Sequence, residues 1–282
     1  MLKDAKIAPE GISEVVLVGG STRIPKVQDD LRKLIGREEL CKSVNPDECV
    51  AYGAAVQGAI LSGERSDRTS ALLLVDVTPL SLGVEVQGKA MSTIVKRNTP
   101  IPCSKKGMYT TCEDYQQNID IVVYEGERSH VDGNNQLGEF SIDGIERAKR
   151  DIPKVEVCFN IDANGILTVT AEDKVTKVVN RVVIRGSKGR LSEDEVEKMV
   201  EDAEKFAEED KKFTERLEAR NELERLAYDM INAAEEYEIE KLERKAKEAQ
   251  AWCDSVALTA ETEDYVNKKL ELKKLMKKLG LE

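Results

Sequence analysis

The residues of this 282-residue chain whose types and spacing best suit chemistry lie near its start, in Gly19-Gly20-Ser21-Thr22-Arg23-Ile24-Pro25. Glu14 to Val18 reads as a short strand, the two glycines turn the chain, and Pro25 stands where the first turn of a helix tolerates a missing N–H. A strand, a glycine turn and a helix start aim backbone amides at an anion, because glycine permits close approach and a helix terminus favours negative charge. Such a spacing offers binding of a phosphorylated ligand. By itself it also describes an ordinary tight turn.

The other reactive residue types mainly narrow the choice. Cys41, Cys49, Cys103, Cys112, Cys158 and Cys253 follow no metal or redox spacing. Their even number leaves a disulfide set open, but no secretory segment precedes them, so a reducing, cytoplasmic setting is expected. The single His130 has no second histidine with which to hold a metal or form a catalytic pair, and reads as a surface residue. Neither a metal site nor catalytic residues are expected. The formal net charge of -11 disfavours nucleic acid, which is drawn to basic surface. From Ser192 onward 17 basic side chains face 27 acidic ones, so nearly all of the excess sits on one tract and reads as a solvated face. No run approaches the roughly eighteen consecutive apolar residues that would span a membrane.

Three kinds of text must position these residues, which makes the chain α+β and multidomain. The first reads as one strand and two helices, Pro25 to Leu34 and Pro46 to Leu61. Those elements cannot enclose a core, and Ala51, Ala54, Ala55, Val56 and Ile60 lack neighbours to pack against. Residues 1–63 are therefore expected to be mobile, to dock on the remainder, or to pair with a separate chain. After a polar connector, Ser62 to Ser70, and the apolar run Leu72-Leu73-Leu74-Val75, short alternating segments begin. Eight strands are predicted: Leu80 to Val86, Met91 to Val95, Gly107 to Cys112, Ile119 to Tyr124, Gly138 to Ile142, Val155 to Ile161, Ile166 to Ala171 and Val178 to Ile184. Val155, Val157, Phe159 and Ile161 alternate onto one face, Asp162-Ala163-Asn164-Gly165 supplies a hairpin turn, and Leu167, Val169 and Ala171 resume the alternation. A two-layer antiparallel sandwich follows. The third text has no Gly or Pro between Ser192 and Gly280. It opens on a capping box, Ser192 to Glu195, and carries an apolar helical face through Val196, Met199, Val200, Ala203, Phe206, Ala207, Phe213, Leu217, Leu223, Leu226, Ala227, Met230 and Ile231.

Val18 to Pro25, the joint Leu72 to Gly83 and Tyr124-Glu125-Gly126-Glu127-Arg128, in that order, resemble the 70-kDa heat-shock chaperone family. The likeness runs from Val15 to Lys212 and weakens through the last helices. It implies roles in protein folding and stress response, and a division into four parts. Residues 1–63 would be the C-terminal remnant of an actin-like ATPase domain, 64–77 an interdomain linker, 78–190 a β-sandwich that binds peptide, and 191–282 an α-helical lid. Gly19, Gly20, Ser21, Arg23 and Asp47 match positions that line the adenosine side of ATP or ADP. The phosphate-gripping hairpins, the Mg2+ carboxylates and the catalytic lysine of the family belong to a part this chain does not match. Phosphoryl transfer is mostly positioning and charge stabilisation around the γ-phosphate, so the chain alone is not expected to be an ATPase.

In the sandwich, Val84, Val86, Tyr109, Thr110, Ile119 and Ile121 match a substrate pocket, and Gln87 and Cys112 match the arch over a bound peptide. Gln87 is polar in that arch, and Lys89 stands where the family usually has Gly. The run Leu72, Leu73, Leu74 and Val75, which as bare sequence reads as a first strand, matches the linker instead, and Asp76 matches an acid that couples the two domains. The partners implied are unfolded or extended apolar polypeptides, together with J-domain co-chaperones and nucleotide exchange factors. The acidic C-terminal motif that recruits tetratricopeptide co-chaperones is absent, and the stretch from Tyr228 to Trp252 is short for a lid. Two rivals stand beside a peptide-binding chaperone. One is a polypeptide that completes an ATPase with a separately made N-terminal portion, and the other is a helical scaffold with a vestigial groove.

Overall fold

The computed structural model describes residues 2–37, 39–41, 43–63, 74–184, 191–237, 239–256 and 258–280. The chain divides into two compact units, Met1–Leu74 and Val75–Glu282, with the division inside the apolar run Leu72 to Val75. In the first unit the helices are α1 (Leu2–Ala5), α2 (Pro25–Ile35) and α3 (Cys49–Leu61). Among the described residues, the expected strand from Glu14 to Val18 forms only a bridge, Val16 paired with Cys41. Helix α2 starts on Pro25 as expected. It stops at Gly36, whose φ of 71° lets its N–H turn back to the Arg32 carbonyl. Helix α3 starts at Cys49 rather than Pro46, since the Asn45 side chain accepts the Asp47 N–H at 3.2 Å and holds Pro46–Glu48 in a turn. Leu17, Ile35 and Leu40 are buried here, whereas Val50 and Tyr52 of α3 are 65% and 67% exposed.

In the second unit alternation becomes eight strands: β1 (Leu82–Val86), β2 (Ala90–Val95), β3 (Cys103–Tyr109), β4 (Asn118–Glu125), β5 (Asn135–Asp143), β6 (Val155–Ile161), β7 (Leu167–Asp173) and β8 (Val179–Ile184). They form two antiparallel four-stranded sheets, ordered β2-β1-β4-β5 and β3-β6-β7-β8. The register Val155↔Asp173 to Ile161↔Leu167 aligns the buried faces of β6 and β7, which meet Val84, Val95, Ile121, Val123 and Ile142 of the other sheet. Their turn is set by Asp162, whose carboxylate accepts the N–H groups of Asn164 and Ile166, and by Gly165 at φ 75°.

One strand starts four residues earlier than read from sequence and ends three earlier. The third runs Cys103–Tyr109, not Gly107 to Cys112. As an edge strand it pairs only with β6, so its exposed Ser104, Lys105 and Lys106 cost nothing and discourage further pairing. Past Tyr109 the chain leaves the ladder, and the Thr110 hydroxyl donates to the Pro153 carbonyl at 2.7 Å.

Four helices follow: α4 (Glu193–Lys205), α5 (Ala207–Tyr237), α6 (Glu240–Val256) and α7 (Thr262–Lys278). The capping box at Ser192 forms in both directions, with Glu195 N–H to the Ser192 hydroxyl and Ser192 N–H to the Glu195 carboxylate. Ala219, Leu223, Ala227, Met230 and Ala234 of α5 pack with Leu242, Ala246, Ala249 and Cys253 of α6 and with Tyr265 and Leu272 of α7. Burial pushes the Cys253 thiol up to about 11, which makes it an apolar core group at neutral pH. All six cysteines are free. The expected boundary between sandwich and helices, between 190 and 191, follows directly on residues 185–190, which lie outside the described residues.

Candidate functional site

Strands β1 and β4 are neighbours, with Val84 opposite Val123, so alternate side chains of both point to the same side of the sheet. Val84 and Ile121 are almost fully buried there, and Val86 and Ile119 are half-buried. Tyr109, at the end of β3, bonds its hydroxyl to Ser92 Oγ at 3.0 Å, and burial pushes its phenol up. Gly107 makes room for that ring, since a Cβ would lie 2.7 Å from it. Exposed Gln87 sits in the β1–β2 turn and exposed Cys112 in the loop after β3. Val84, Val86, Gln87, Tyr109, Thr110, Cys112, Ile119 and Ile121 line a single cavity of about 860 Å³, to which β6 adds Val155 and Val157. All eight positions singled out in the sandwich thus come together.

Sequence reading missed the other side of this cavity. Asn221, Glu224 and Arg225 of α5 line it, as does Arg150 from the loop before β6. Helix α5 has two working faces. Its apolar face packs on α6 and α7, and a second face, from Asp210 through Phe213, Leu217, Glu224 and Tyr228 to Asn232, meets the sandwich. Phe213 and Leu217, expected to continue the apolar stripe, belong to this second face. His130, read as a surface residue, lies edge-on to Phe213 at 5.0 Å. The signal that could have found this face is the recurrence of polar and aromatic residues every three or four positions, which a search for apolar stripes passes over.

The motif Tyr124 to Arg128 works at this junction. A Cβ on Gly126 would come within 2.1 Å of Asn134 and 2.9 Å of Met199, so only glycine fits. Glu127 accepts the N–H and the hydroxyl of Ser81. Arg128 Nε reaches both carboxylate oxygens of Asp210, at 3.1 and 2.9 Å, and its Nη2 adds a bond at 3.0 Å. These hydrogen bonds raise the Arg128 pKa further, so the guanidinium stays charged. At the far end of α5, Tyr228 donates to Asp114 at 2.7 Å and the Arg150 guanidinium lies 3.8 Å over the Tyr228 ring. The Arg150 N–H and the Tyr228 hydroxyl hold the Asp114 carboxyl below the usual range.

In the first unit, Gly20–Arg23 is a 3-10 turn that leads into α2 at Pro25. Arg23 bonds Asp47 from Nε at 3.1 Å and from Nη2 at 2.6 Å, and Asp47 Oδ1 lies 3.3 Å from where a Gly20 Cβ would be. Arg23, Gly20 and Asp47 are therefore brought together, with Ser21 in the same turn. Gly19, at φ 90°, has open space beside it. Among the coupling residues, Leu74 and Val75 are 63% and 48% exposed, and the Asp76 carbonyl accepts the Ile101 N–H. Leu72 and Leu73 lie outside the described residues. Among the described residues, no group of three or more His, Cys, Asp or Glu could hold a metal ion, and no helix is long and apolar enough to cross a membrane.

A family model described as Hsp70 protein matches residues 1–282. The chain belongs to the Hsp70 family. Heat shock cognate 70 kDa protein 3 of Dictyostelium discoideum is 52% identical over 239 residues, covering 85% of this chain and 38% of that protein. A heat shock 70 kDa protein of Trichophyton rubrum is 45% identical over 282 residues, covering 96% and 43%, and one of Penicillium citrinum is 44% identical over 280 residues, covering 96% and 55%. This Hsp70 chain thus spans about half or less of the length of the curated relatives it matches. The family's domain implies nucleotide binding with Mg2+. An exposed guanidinium can stack on a base, a carboxylate stands beside it, and Gly19 leaves the turn open to close approach.

Proposed function

We propose that this Hsp70 chain binds extended apolar segments of unfolded polypeptides in the cavity between β1, β4 and α5. Residues 78–190 act as the peptide-binding sandwich and 191–282 as a lid. The observation that carries this reading is the meeting of Val84, Val86, Tyr109, Ile119 and Ile121 around one cavity roomy enough for a Leu, Ile or Val side chain, with Gln87 and Cys112 at its rim. The cavity recognises side-chain type and not sequence, because a bound extended segment satisfies its own polarity through its backbone. Burying one Leu contributes about 1.5 to 3 kcal/mol, while micromolar affinity requires about 8 kcal/mol. Backbone contacts and closure by α5 supply the difference. Titrating a fluorescent Leu-centred peptide, with and without ATP, tests the reading, and Ile119→Phe should fill the slot and abolish binding. Unchanged affinity in that variant would refute the assignment.

Gly19, Gly20, Ser21, Arg23 and Asp47 are proposed to hold the adenosine side of ATP or ADP, and Leu72 to Asp76 to couple nucleotide to peptide. J-domain proteins, nucleotide exchange factors and a cytoplasmic setting belong to the same reading. So does the absence of ATP turnover by this chain alone. Mg2+-dependent turnover that co-elutes with the protein would overturn that part and leave peptide binding untouched. A second reading, completion of an ATPase by a separate N-terminal portion, is favoured by the exposed Val50, Tyr52 and Val56 of α3. Mixing the two portions and measuring turnover separates the readings. A helical scaffold without binding would still oligomerise but fail to suppress aggregation of a denatured client.

A further inference from the structure

We infer that the β1–β2 turn is the element through which an occupant of the cavity acts on α5, with Gln87 as the positioning residue that joins them. This rests on the peptide reading above and adds to it a route from site to helix.

The turn is pressed against the helix. Gly88 has a φ of 82°, and a Cβ placed on it would lie 2.6 Å from Leu217 and 3.5 Å from Leu258. Beside it, Gln87 Nε2 donates to Glu224 Oε2 at 3.4 Å, across 137 positions of sequence. Glu224 is fixed from two sides. Arg220 Nε donates to its carboxylate at 2.8 Å, with both side chains 13% exposed, and its backbone carbonyl accepts Arg150 Nη2 at 3.2 Å. Arg150 stacks on Tyr228. One glutamate therefore connects the rim of the cavity, the middle of α5 and the contacts at its far end.

Gln87 and its neighbour Val86 also line the cavity, so a side chain that lifts the rim moves the Gln87 amide away from Glu224. At 3.4 Å and exposed, that bond is near the limit of a hydrogen bond and breaks under a small displacement. A strong, buried bond would clamp the turn, whereas a weak one reports where the turn is. A large occupant thus loosens α5 and a small one leaves it seated.

The test is a double-mutant cycle on release of the Leu-centred peptide from the full chain. Gln87→Ala and Glu224→Gln should each speed dissociation about three- to fivefold with little change in association, the magnitude of a marginal charge-assisted bond. Together they should do no more than either alone. Multiplicative effects would overturn the inference, as would an effect confined to association. Hydrogen exchange without peptide reads the contact independently. Glu224→Gln should speed exchange at 87–89, and Gln87→Ala should speed it across Asn221 to Tyr228. If the native chain binds no peptide but both exchange effects appear, the turn-to-helix link stands and the peptide reading falls. If neither appears, the link itself is wrong.

Discussion

The two ends of α5 are held to the sandwich by different physics. At its start, Asp210 accepts three bonds from Arg128 and one from the Ser129 N–H, with the Arg128 and Asp210 side chains only 18% and 12% exposed. Phe206 adds its ring 4.5 Å from the Arg128 guanidinium. Toward its end, Tyr228, Asn232 and Glu235 meet Asp114 and Lys149 in contacts that water reaches. Charged pairs withdrawn from water depend heavily on each partner, while exposed ones contribute little. The difference teaches that α5 should pivot at Asp210 and part from the sandwich at Tyr228. The pivot lies away from the cavity and the parting end beside it, so opening exposes the candidate site without detaching the helix.

The largest expected effect is at the pivot. Asp210→Asn keeps the size of the side chain and leaves Arg128 without its carboxylate, at a cost of about 2 to 4 kcal/mol. Urea unfolding should show the loss and hydrogen exchange should rise first across Ala207 to Leu217. A cost below about 1 kcal/mol would erase the distinction between the two ends. Next comes Arg150→Ala, which removes the stack on Tyr228 and the bond to the Glu224 carbonyl. It should cost about 1 to 2 kcal/mol, with exchange rising toward Tyr237 while the pivot stays protected.

A pH titration sharpens the comparison further. The Asp114 carboxyl has a folded pKa below its ordinary value, so the folded state favours its charged form. The stability it contributes is present above the unfolded pKa of about 3.9 and is lost as pH falls through the lower, folded value. The far end should therefore loosen only in acid below about pH 4. Loosening already at pH 5 to 6 would show that Asp114 does not set the acid response of this end.

Much of the fold was legible because burial on one face writes a period into the sequence. Val155 to Ile161 and Leu167 to Ala171 alternate without exception, and their hairpin carries its own turn chemistry. The third strand was misplaced because Ser104, Lys105 and Lys106 belong to an edge, where no partner demands alternation. Glu14 to Val18 looked like a strand, yet a strand needs neighbours that composition cannot supply. Of the candidate site, the wall from β1 and β4 was readable through family likeness. The wall from α5 was not, since Glu224 and Tyr228 are placed by tertiary contact and resemble any solvated helix surface when read alone.

The smallest expected effect is the most direct check on the exposed end. Lys149 Nζ donates to Asn232 at 2.7 Å and lies 3.6 Å from Glu235, with the Lys149 and Glu235 side chains 45% and 62% exposed. Good geometry at such exposure contributes little, because the ammonium loses hydration and rotamer freedom in making the contact. Lys149→Ala should change stability by no more than about 0.5 kcal/mol, and the Debye length of about 3 Å at 1 M salt should remove what remains of the Glu235 attraction. Asp210→Asn should stay costly in the same salt, since its partner is shielded from the ions that do the screening. If both variants lost their effects equally at 1 M salt, the two ends would be held by the same physics and α5 would have no preferred pivot.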